Sequence, residues 1–110
     1  MKLIMLVLVA VMLVIPSLSS ADEKTEAKRA AIQFVTKRLK APLTAKFEPI
    51  KSIVAGKTKA SDGKQAWDVA GYVDSENEFS AMLRQDFIVT VQRTKDGWKA
   101  LDVTFLKERQ

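Results

Sequence analysis

The chain has 110 residues and carries 18 Lys and Arg against 13 Asp and Glu, for a net charge of +5. It contains no cysteine and no histidine, which excludes disulfides, thiolate metal sites, cysteine nucleophiles, and imidazole bases or ligands. A chain this short specifies one domain with one modest core.

Met1 and Lys2 make a short positive start, and Leu3 to Ile15 is an unbroken apolar run. Pro16 breaks that run, and Ser17 to Ala21 supplies small residues ahead of Asp22. This layout predicts a secretory signal peptide over residues 1–21, cleaved between Ala21 and Asp22. The run is shorter than the roughly 20 residues that an ordinary membrane span needs. The expected mature form is a single domain of residues 22–110, not membrane-spanning, in the periplasm or outside the cell.

From Glu23 to Lys40, the residues Ala27, Ala30, Ala31, Phe34, Val35 and Leu39 recur at steps that are mostly three or four residues. That spacing predicts an amphipathic helix whose alanine-rich side approaches a sheet closely. Acidic residues open this segment, Lys37, Arg38 and Lys40 close it, and Pro42 is the expected stop. After Pro42 the pattern turns to strands. Leu43 to Glu48 is read as one loose helical turn, Ile50 to Ala55 as a first strand, and Gly56 to Lys64 as a hairpin turn.

Gln65 to Asp74 alternates, with Trp67, Val69, Gly71 and Val73 on one face and Ala66, Asp68, Ala70 and Tyr72 on the other. Asp74 to Glu78 is the next expected turn, shaped by the side chains of Asp74 and Asn77, with Asn77 able to take a left-handed backbone. Phe79 to Arg93 is the longest predicted strand. Phe79, Ala81, Leu83, Phe87, Val89 and Val91 form its core face, and Gln85 interrupts them. Asp96-Gly97 is the last turn, after which Leu101, Val103 and Phe105 are expected to face inward. One helix followed by four antiparallel strands is an α+β domain.

The chemistry on offer is narrow. Lysines and arginines crowd the first half of the chain, which suits weak contact with an anionic surface or simply a soluble exterior. Only Phe47 interrupts the later basic stretch, so no nucleic-acid stacking platform is expected. No cofactor is expected. Asp74, Glu76 and Glu78 flank a turn but lack the spacing of a calcium loop, so no metal is expected. Asp68, Tyr72 and Asp86 are the groups a small pocket enzyme would use; ordinary cross-strand polar pairs on a half-solvated sheet account for them better. Asp74, Asn77 and Arg84 form the polar set read either as turn-shaping or as a small ligand site.

Two stretches carry a resemblance. Arg38-Leu39-Lys40-Ala41-Pro42-Leu43-Thr44-Ala45-Lys46-Phe47 and Gly71-Tyr72-Val73-Asp74-Ser75-Glu76-Asn77-Glu78-Phe79-Ser80-Ala81-Met82-Leu83-Arg84 resemble segments of small uncharacterised secreted proteins of bacteria and phages. That family usually has glycine where Ser80 stands. The resemblance implies a cystatin-like fold, with a helix on a curved sheet, and no particular activity. Ser52-Ile53-Val54-Ala55-Gly56 is also similar to the first-hairpin loop of cystatins, and Gly97-Trp98 to their second. That likeness implies interaction loops at Val54, Gly56, Gly97 and Trp98 and raises protease inhibition as an alternative. The favoured expectation is a secreted, non-enzymatic binding module for a protein, peptide or small ligand.

Overall fold

The computed structural model describes the backbone of residues 20–109 and the side chains of residues 22–106. Apart from Ser20 and Ala21, the predicted signal peptide lies outside the described residues. The architecture is α+β, as expected. One helix, α1 (Ser20–Thr36), packs on an open antiparallel sheet of β1 (Lys46–Phe47), β2 (Val54–Lys59), β3 (Gln65–Glu76), β4 (Met82–Thr94) and β5 (Gly97–Arg109). No helix among the described residues is long and apolar enough to cross a membrane.

The four expected strand positions are occupied, but the first is broken in two. Phe47 of β1 faces Val73 of β3, and Val54 of β2 faces Ala70 of the same strand. Between them Pro49, which has no N–H to give a ladder, opens a turn closed by the Ser52 N–H on the Pro49 carbonyl at 2.8 Å. The expected first strand at Ile50 to Ala55 therefore begins only at Val54. Ile53 turns inward instead and is buried. Room for it comes from Gly71 opposite. A Cβ there would lie 3.1 Å from the Phe87 ring and 3.2 Å from the side chains of both Ile53 and Glu48. The buried Lys28 donates from Nζ to the Ile50 carbonyl at 3.0 Å, tying this turn to the helix.

The helix ends earlier than the predicted Lys40. Its exit tightens, with the Arg38 N–H on the Val35 carbonyl and the Leu39 N–H on the Thr36 carbonyl. Such three-residue closures satisfy orphan carbonyls at a helix end, and here they leave Leu39 buried in the core. The loose turn expected after Pro42 is a short 3-10 segment, Pro42–Thr44, and Lys46–Phe47 is already strand. Glu23 pins the opposite end of the helix, accepting from the Trp67 indole N–H at 3.1 Å and the Gln65 amide at 3.2 Å.

Ala27, Ala31, Val35 and Leu39 meet Ile53, Trp67, Val69, Val73, Phe87, Val89 and Val91 in one core. The small residues let the helix approach the sheet, and each large side chain buried there contributes about 1.5–3 kcal/mol. The predicted faces of β3 and β4 hold through this region. Three positions expected to face inward do not: Phe79 and Ala81 ahead of β4, where Ala81 is likewise exposed, and Leu101 in β5. Phe79 is 81% exposed, because it lies in the turn before β4 rather than in the strand. Leu101, 41% exposed, is the extra residue of a bulge: Thr90 faces Asp102 while the next residue, Val91, faces Ala100. That insertion shifts the strand's alternation by one, so Trp98 as well as Val103 and Phe105 packs against the core.

The turns are also displaced. The β2–β3 hairpin turn spans only Ala60 to Lys64, with Asp62 Oδ1 accepting from the Lys64 N–H at 2.9 Å. Between β3 and β4, Asn77 Oδ1 accepts from the N–H groups of Phe79 at 2.8 Å and Ala81 at 3.0 Å. The left-handed residue of that turn is Ser80 (φ 61°), not Asn77. In the last hairpin Lys95 and Asp96 form the turn, and Gly97 supplies the positive φ as β5 begins.

Candidate functional site

The helix covers one face of the sheet and leaves the other open. On the open face the register lines residues up in rows. Gly56, Asp68, Thr90 and Asp102 form one row, and Val54, Ala70, Ile88 and Thr104 the next. Tyr72 and Asp86 follow, then Lys46, Asp74 and Arg84. The second row is apolar over three strands. Val54 is 67% exposed and Ile88 38%, and Leu106, 46% exposed, adds to them. Val54, Ala70, Tyr72, Asp86, Ile88 and Leu106 border a hollow of about 300 Å³.

Carboxylates bracket this apolar row. Asp68 accepts from the Thr90 hydroxyl and Asp102 from the Thr104 hydroxyl, each at 2.7 Å. Among the described residues neither forms an ion pair with a cation. On the other side of the row lies Asp86, opposite Tyr72. Beyond it, Arg84 grips Asp74 with two parallel hydrogen bonds of 2.8 and 2.9 Å, and its guanidinium lies 3.8 Å from the centre of the Tyr72 ring. The hydrogen-bonded Asp74 carboxylate holds the Arg84 pKa above its already high range. Asp74 and Arg84 thus lock each other, and Arg84 in turn fixes the Tyr72 ring.

The predicted polar set therefore splits. Asp74 and Arg84 meet across the sheet, so the turn-shaping role expected of Asp74 is corrected. Asn77 organises the turn through its side chain. Val54 and Gly56 are ladder residues facing Ala70 and Asp68, not hairpin-tip residues; the tip is Ala60 to Lys64. Asp68, Tyr72 and Asp86 share the open face as alternation predicts.

Gly97 and Trp98 lie elsewhere. They border a cleft of about 460 Å³ between α1 and the β4–β5 hairpin, together with Glu26, Arg29, Phe34 and Arg93. The two cystatin-like runs thus belong to opposite edge strands, and only Gly97-Trp98 adjoins a hairpin tip.

Several site residues escaped the sequence reading. Ile88 had a visible signal, as a large aliphatic residue in the polar register of β4. Asp102 and Leu106 had one too, since they alternate with Val103 and Phe105, which pack inward as expected. No family model, no curated protein and no solved structure matches the chain.

Proposed function

We propose that this chain is an exported, non-enzymatic binding module whose helix-free sheet face docks a cationic, partly apolar protein segment. The uncovered row Val54, Ala70, Ile88 and Leu106 carries the reading, since apolar side chains grouped on a polar face mark contact surfaces. The bracketing carboxylates Asp68, Asp102 and Asp86 select the partner's charge, because opposite charge steers encounter and sets register. Apolar contact with Ile88 and ion pairs with Asp68 and Asp102 are compatible in one segment whose apolar and basic residues alternate, two residues apart along a strand. Export rests on the leader-like residues 1–21, and the absence of imidazole and thiol groups favours binding over catalysis.

Site-specific photo-crosslinking in the producing cell tests this. A photoreactive residue at Ile88 should yield one adduct that contains a basic segment, and Asp68→Asn with Asp102→Asn should abolish it. No adduct at Ile88, or an adduct indifferent to the two charge removals, overturns the reading.

A further inference from the structure

We infer that the cleft between α1 and the β4–β5 hairpin is a binding site for a small aromatic carboxylate. It lies on the helix side of the sheet and is independent of the docking face above. Within the stretch of α1 that borders the cleft, Ala30 contributes only a methyl group, and Phe34 and Trp98 are the two rings that line it. Both rings are partly buried and packed against the core, so their positions are set before any ligand arrives. Its volume of about 460 Å³ falls in the range of small-molecule pockets and accommodates a one- or two-ring group. A flat ring stacks favourably on indole.

The charges define the other half of the ligand. The Arg93 guanidinium lies 5.7 Å from the centre of the Trp98 ring, and Lys37 Nζ lies 5.6 Å from that of Phe34. Arg29 and Arg93 border the cleft itself, and Lys37 lies outside its lining. Against them stands one carboxylate, Glu26, which is paired with Arg93 at 2.5 Å. Arg29 has no ion pair or hydrogen bond among the described residues. Gln33 follows it by one helical turn and borders the same cleft. A guanidinium fork and an amide N–H₂ side by side are suited to grip a carboxylate, while the ligand's ring rests on Trp98 and Phe34.

The test uses 2-naphthoate as the probe, with 2-naphthylmethylammonium as its charge-reversed counterpart, followed by nitrogen–proton NMR on the purified protein. Naphthoate should shift the Trp98 indole resonance and the Ala30 and Phe34 amides, and the ammonium compound should leave them in place. Arg29→Gln should weaken naphthoate about tenfold, as expected on losing one charge-assisted contact. Ala30→Leu should fill the cleft and abolish binding with the dispersed spectrum of the fold retained; if that variant unfolds, Arg29→Gln still decides. Naphthoate shifts confined to other residues, equal binding of the ammonium compound, or unchanged affinity in Arg29→Gln would each overturn the site.

Discussion

The two faces of the β3–β4 pair are made by alternate residues of the same two strands, yet they do opposite things. Trp67, Val69, Val73, Phe87, Val89 and Val91 are buried beneath α1. Ala70, Tyr72, Asp86 and Ile88, interleaved with them, line an open hollow. Stability and recognition are therefore separated by a single step along the chain. A one-residue slip would exchange the two sets, so the buried face also fixes where the open face presents its groups.

Neighbouring residues give the sharpest contrast. Phe87→Ala should destabilise the fold by about 3–5 kcal/mol, the usual cost of emptying an aromatic core site. Ile88→Ala, next along β4, should change stability by only about 0.5 kcal/mol while weakening the docking face. Urea denaturation of both variants measures the difference, and equal losses would erase the distinction between the faces.

A smaller effect is expected where the first strand is interrupted. Gly71→Ala forces a methyl group against Phe87, Ile53 and Glu48, and overpacking of that kind costs about 1–3 kcal/mol. Gly56 lies in β2 on the open face with nothing within 4 Å of an added Cβ; Gly56→Ala should be tolerated. Thermal unfolding of the pair separates a packing requirement from a general intolerance of side chains at strand glycines.

Ser80→Gly should act in the other direction. Ser80 holds a left-handed backbone at φ 61°, which disfavours residues with a Cβ by roughly 1–2 kcal/mol. Glycine's greater freedom when unfolded offsets part of that gain, so a net stabilisation of about 0.5–1 kcal/mol is expected in chemical denaturation.

The least effect concerns pH. The Lys64 N–H holds the exposed Asp62 carboxyl below its ordinary value of 3.8, with further help from the Gln92 side chain. Because the folded pKa is the lower one, this contribution is present above pH 3.8 and disappears as pH falls through the folded value. Asp62→Asn should lower the neutral plateau of the stability curve slightly and so flatten its acid limb. A steeper acid limb in the variant would contradict this assignment.

Much of this was legible in the residues. The spacing of Ala27, Ala31 and Val35 predicted the buried side of α1, and alternation placed Trp67, Val69 and Val73 together. The same alternation put Arg84 on the open face. Its partner Asp74 lies in β3 rather than shaping the turn; a carboxylate two residues before the end of β3 serves either role until the strand ends are known. The open hollow was harder to see. It joins residues from β2, β3, β4 and β5, which no local period connects.

Local rules decided what local chemistry can decide: a helix where apolar residues return every turn, strands where they alternate, and a chain without thiol or imidazole chemistry. Tertiary structure alone set the rest. The interruption at Pro49 depends on Ile53 finding space over Gly71. The aim of Leu101 depends on a bulge opposite β4, and the cleft at Trp98 depends on how closely Ala30 lets the helix approach. Each is a question of which distant atoms compete for one volume, and the order of residues along a chain does not contain that volume.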